Sequence, residues 1–177
     1  MMDETDFWEL IDAAREASEG DPEEQADVLI EQLTRRDPEG VADFARHFDS
    51  RFHRAYQWDV WAAATVLLGS AGEPVDDETF DSFRCWLIGQ GREVFEAAAH
   101  DADSLADLLT GFDPQFDGEG EDLGYAADEA YEQLTATVLP DLGLPEPPEE
   151  PTGTPLDLDD DEALADRLPR LWDRVRG

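Results

Sequence analysis

The sequence predicts an all-α fold, and three observations carry the prediction. Apolar residues recur at helical spacing from Phe7 to Leu134. Aspartates stand ahead of several of these segments, twice followed by proline, as at helix starts. No stretch alternates apolar and polar residues with β-branched side chains, as a half-buried strand would. The expectation is a compact multi-helix domain over residues 1–138, followed over 139–177 by an acidic, proline-rich linker and a C-terminal segment.

Phe7, Trp8, Ile11 and Ala14 mark one face of a first helix. Asp21-Pro22-Glu23-Glu24 combines a capping Asp, a Pro in the first turn and a Glu three residues after the cap. It opens a second helix with Val28, Leu29 and Leu33 on its apolar side. Asp37-Pro38-Glu39 opens the longest periodic segment, through Val41, Phe44, Phe48, Phe52 and Tyr56. From Trp58 to Leu68 apolar residues surround the axis almost completely, which places this helix at the centre of the core. Gly69 to Pro74 carries breaker chemistry. Asp76 or Asp77 starts a segment running through Phe80, Leu87 and Phe95, which Gly89 and Gly91 divide or kink. Asp101 caps a short helix with Leu105 and Leu108, residues 111–122 form a Gly- and acid-rich loop, and Leu123, Ala126, Ala130 and Leu134 belong to a further helix.

Composition then shifts. Six of the eleven prolines lie between Pro140 and Pro155, interleaved with acids, as in an extended linker. Beyond it Leu164, Leu168, Leu171, Trp172 and Val175 share one side of a final amphipathic helix, interrupted by Pro169. Arg167, Arg170, Arg174 and Arg176 accompany them.

Forty-six acids oppose twelve basic residues, all Arg, for a formal net charge of −34. Such a field repels nucleic acid and anionic lipid and attracts basic proteins or cations. Acid excess also serves plain solubility or high salt, and Arg without Lys also reflects a GC-rich genome, so charge alone names no partner. No apolar run approaches the roughly 20 residues that span a bilayer. The acidic start lacks the positive charge of an export signal, and the lone Cys85 suits a reducing compartment. The expected location is the cytoplasm.

The catalytic inventory is thin. His47, His53 and His100 are the only histidines, and no phosphate loop, nucleophile elbow, zinc spacing or cofactor motif occurs. Cys85 beside Trp86 reads as a small buried hydrophobe. Asp113, Gln115, Asp117 and Gly118 fit the start of a calcium loop, but Gly124 stands where a bidentate Glu is needed, so an acidic turn is the better reading. No metal or cofactor is expected. Arg84 falls within an apolar face and needs a partner. Asp59, on the buried helix, is the expected one, unless Asp59 caps its helix and Arg84 extends to solvent. His47, Arg51, Arg54 and Trp58 form a strip along the long helix, able to receive an anion, an acidic partner or the chain's own acidic tail, or to be an exposed polar flank.

The stretches Ala55-Tyr56-Gln57-Trp58-Asp59-Val60-Trp61-Ala62-Ala63-Ala64 and Phe83-Arg84-Cys85-Trp86-Leu87-Ile88-Gly89-Gln90-Gly91-Arg92-Glu93-Val94-Phe95 resemble the two signatures of a bacterial, mainly actinobacterial family, domain of unknown function 4240. Phe7-Trp8 and Ala126 to Tyr131 are similar too, so the resemblance spans about residues 4–135. It implies an all-helical cytoplasmic domain and no established activity. Two functions remain in view. One is a non-enzymatic regulatory or accessory protein whose acidic surface binds a protein partner of basic character. The other is a small-molecule or anion-binding enzyme whose pocket gathers Tyr56, Trp58, Asp59, Arg84, Gln90 and Arg92.

Overall fold

A computed structural model describes residues 2–69, 75–109 and 111–177. Most of the expected breaker run Gly69 to Pro74 lies outside these residues. Among the described residues the chain forms eleven helices and no strand. They are α1 (Glu4–Ala17), α2 (Pro22–Leu33), α3 (Pro38–Arg54), α4 (Trp58–Leu68), α5 (Asp77–Gly89), α6 (Arg92–His100), α7 (Leu105–Leu108), α8 (Glu121–Gly124), α9 (Ala126–Thr135), α10 (Asp161–Arg167) and α11 (Pro169–Arg176). A 3-10 turn over Ala102–Ser104 precedes α7.

The boundaries follow from local chemistry. Carboxylates of Asp3, Asp21, Asp37, Asp76 and Asp160 accept backbone N–H groups in the first turns of α1, α2, α3, α5 and α10, and Asp101 does the same for the 102–104 turn. Each satisfies donors that a helix start leaves without partners. Gly91 parts α5 from the next helix: it adopts φ 101, and a Cβ there would sit 2.5 Å from Asp12 Oδ1. The segment expected to run through Phe95 is therefore two helices. The one expected through Leu134 is also two, parted at Tyr125.

Helices α1, α2, α3, α5, α8 and α9 pack on one another around Phe7, Ile11, Leu29, Leu33, Phe44, Phe83, Leu87 and Ile88, all fully or almost fully buried. Helix α4 contributes Val60, Ala62, Ala63, Ala64, Val66 and Leu67 to the core, but its Trp58, Asp59 and Trp61 are only half-buried. The C-terminal segment packs on this helix. After the linker, Thr152 pairs with the α3–α4 junction: its N–H donates to the Tyr56 carbonyl (2.9 Å) and its carbonyl accepts from Trp58 N–H (3.0 Å). Helices α10 and α11 then lie against α4, the 102–104 turn and α7, burying Leu164, Leu168 and Leu171.

Candidate interaction surface

The expected Asp59–Arg84 pair does not form. Arg84 is 5% exposed and donates to the Phe52 carbonyl (2.8 Å), in the last turn of α3, and to Asp81 one turn back on its own helix. Its guanidinium lies 3.7 Å from the centroid of Phe52, 4.7 Å from Tyr56 and 5.0 Å from Phe80. A guanidinium suits this place because it stacks flat on rings while its edge donates. It closes the C-terminus of α3, where unpaired carbonyls favour a cation. Asp59 instead pairs with Arg167 of the tail (2.6 Å).

The other residues singled out from sequence disperse. Tyr56 joins Arg84, but Trp58 stacks on Trp61 (5.9 Å between centroids). Gln90 accepts from Arg15 (3.5 Å), and Arg92 faces Glu4 (3.6 Å). Apart from the Tyr56–Arg84 contact the six residues are held by different partners, and none lines the clefts described below. The strip on α3 is engaged within the protein. His47 Nε2 meets the Met2 carbonyl (3.0 Å), Arg51 pairs with Glu4 (3.0 Å) beneath the Phe7 and Trp8 rings, and Arg54 pairs with Glu96 (2.6 Å). Burial opposes the charge of Glu4, yet Arg51 and Arg92 outweigh it and hold the carboxyl below its ordinary range.

A cleft of about 440 Å³ opens between α3, α5, α8, α9 and the start of the linker. Phe44, Phe48 and Phe52 of α3 line it together with Leu123, Ala127 and Cys85. Burial pushes that thiol up to about 12, so it is neutral and unreactive at physiological pH. The charged lining is entirely acidic: Asp49, Glu78, Asp81, Glu121 and Asp128. Asp49 has His53 (3.4 Å) and Asp81 has Arg84, whereas Glu78, Glu121 and Asp128 have no cationic partner among the described residues. Asp128 is exposed as a residue, yet partial desolvation of its carboxyl raises its pKa. Tyr125, 59% exposed, completes the rim, and Leu139, Leu142 and Leu144 of the linker edge it.

A second, more polar cleft of about 740 Å³ shares the wall of Glu78, Ser82 and Glu121 and extends toward Glu19, Asp21, Glu23, Asp117 and the exposed Phe116. It includes part of the loop tested for calcium-site spacing. There the Asp113 carboxylate accepts from Gln115 N–H (2.9 Å) and Asp117 accepts from Asp113 N–H (2.9 Å), so both acids support their own turn. Gly120 anchors this loop on α5 by donating to Ser82, and a side chain there would run into the Trp86 backbone.

Neither cleft could be read from the sequence, because each is assembled from residues far apart in the chain. An apolar floor with charged groups of one sign is chemistry able to receive a ligand or partner of complementary charge. The class defined by fold and surface is thus an acidic all-α domain carrying a one-signed, apolar-floored cleft. The chain belongs to the family described as "Protein of unknown function (DUF4240)", which it matches over residues 2–133. No curated protein and no solved structure matches it. No helix among the described residues is long and apolar enough to cross a membrane.

Proposed function

We propose that the chain is a non-enzymatic regulatory or accessory protein of the cytoplasm, and that it binds a basic protein partner. The observation that carries this reading is the cleft, with aromatic and aliphatic residues beneath five carboxylates and no cation in its lining. An apolar anchor of the partner enters the floor, and its flanking Arg or Lys side chains meet Glu78, Glu121 and Asp128. Internal pairing of Arg51, Arg54, Arg84, Arg92, Arg167 and Arg170 leaves the surface field to the acids.

The test is affinity capture from the native cells by the full chain and by a Glu78→Gln/Glu121→Gln/Asp128→Asn variant. It is run at about 0.05 M and 0.5 M salt, between which the screening length falls roughly threefold. The reading predicts a basic protein held by the wild type at low salt and released both by salt and by the triple substitution. Equal capture by both forms would remove the cleft from consideration.

A further inference from the structure

The best-defined recognition on this molecule is of its own tail. Arg167 pairs with Asp59, and it also donates to the Thr154 carbonyl (3.0 Å). Arg170 reaches three carboxylates, Asp101 (3.5 Å), Asp103 (3.3 Å) and Asp107 (2.5 Å). Arg174 donates to the Ala106 carbonyl (2.6 Å) in α7. Helix α11 has Leu168 at its cap position, which offers no side-chain acceptor. Asp103 supplies the missing cap from a distant part of the chain, accepting from Leu171 N–H (2.9 Å) and Arg170 N–H (3.3 Å). With the tail seated, Asp103 is 8% exposed.

The seat and its occupant have different origins in the sequence. Asp59, Asp101, Asp103 and Asp107 lie within the family region 2–133, and α10–α11 lie outside it. Between Val138 and Pro151 no described hydrogen bond joins the connecting segment to the body. The tail is therefore held as a tethered ligand is held, by a recognition face at the end of a proline-rich tether.

We infer that the face built by α4, the 102–104 turn and α7 is a docking surface for amphipathic helices that present Arg beside Leu, as α10 and α11 do although their acids balance their Arg residues. This chain's tail fills it in cis, and a partner helix of the same chemistry competes for it in trans. The pattern recognised is Leu164 and Arg167 of α10, Leu168 at the break between the helices, and Arg170, Leu171 and Arg174 of α11. The inference shares with the proposed function only the use of Arg side chains against carboxylates, since its surface is separate from the cleft.

The experiment uses a fluorescently labelled synthetic peptide of residues 156–177 and full-length protein. Binding is followed by anisotropy for the wild type and for an Arg170→Glu/Leu171→Asp variant whose own tail is undocked. A short tether gives the tail an effective concentration in the millimolar range. The variant should therefore bind the peptide about 10- to 100-fold more tightly than the wild type. Adding Asp103→Ala to the variant should abolish that gain. Equal binding to wild type and variant, or none to a variant that keeps its helical circular dichroism, would overturn the inference. If the variant does not fold, native-state hydrogen exchange on the wild type decides. Amides of α10 and α11 exchanging at least about tenfold faster than those of α5 indicate a separable tail, and equal rates overturn it. Peptide binding that survives the Glu78→Gln/Glu121→Gln/Asp128→Asn substitutions while capture is lost would separate this surface from the cleft.

Discussion

Replacing Arg84 by Met keeps the apolar stem and removes the charge and its donors. The hydrogen bond to the Phe52 carbonyl comes from a charged donor, a class worth about 1.5–3 kcal/mol. Stacking on desolvated rings is worth about 2 kcal/mol, and the three rings share one guanidinium, so it is counted once. Asp81 is 55% exposed on its side chain and regains water, so the full cost of stranding a buried charge does not arise. Met returns part of the packing, leaving a net loss of about 3 kcal/mol. For a chain of this size that lowers the melting temperature by roughly 6–12 °C. Thermal and urea unfolding of both proteins measure it. Asp81→Asn leaves the buried guanidinium without its carboxylate, so it should destabilise as well, by more than about 1 kcal/mol. An Arg84→Met protein melting within about 3 °C of wild type would refute this account of the guanidinium as the closure of α3.

Asp59→Ala leaves the Arg84 site intact and removes the Arg167 contact, so amide exchange should accelerate in α10–α11 and stay unchanged in α5. Gly91→Ala places a side chain at φ 101 against Asp12 and should destabilise by about 1–3 kcal/mol, measured by urea titration. Cys85 should react with a thiol reagent at neutral pH only after denaturation, since its folded pKa is raised from 9.0 to about 12. For the same reason stability is full below about pH 9 and falls as pH rises from there toward 12. Glu4 has the opposite sign. Its folded pKa is lowered, so its contribution is present above the ordinary value of 4.5 and is lost as pH falls through the folded value. Acid unfolding of Glu4→Gln should be less steep than that of wild type over that range.

Helix starts were legible because a capping Asp acts within three residues of itself, as Asp21, Asp37 and Asp76 do. The break between α5 and α6 was legible for the same reason, in Gly89 and Gly91. Arg84 could be recognised as buried from its place among apolar neighbours, but its main partner could not. A backbone carbonyl of α3 and three rings reach it only after α3 and α5 pack, although the i−3 position of Asp81 was a local signal that the Asp59 pairing passed over. The tail showed its amphipathic pattern, yet its seat depends on Asp101, Asp103 and Asp107, which in sequence look like any other acids in a chain with forty-six. The cleft has no sequence signature, because Phe48, Glu78, Cys85 and Asp128 meet only through the fold.

The basic-partner account is tested most directly at the cleft rim. A photo-reactive phenylalanine analogue in place of the exposed Tyr125, irradiated in the native cells, records what occupies that cleft. The account predicts a crosslink to a basic protein, mapped to an apolar residue flanked by Arg or Lys and lost on the Glu78→Gln/Glu121→Gln/Asp128→Asn background. A crosslink to an acidic protein, or one that survives those substitutions, would contradict it.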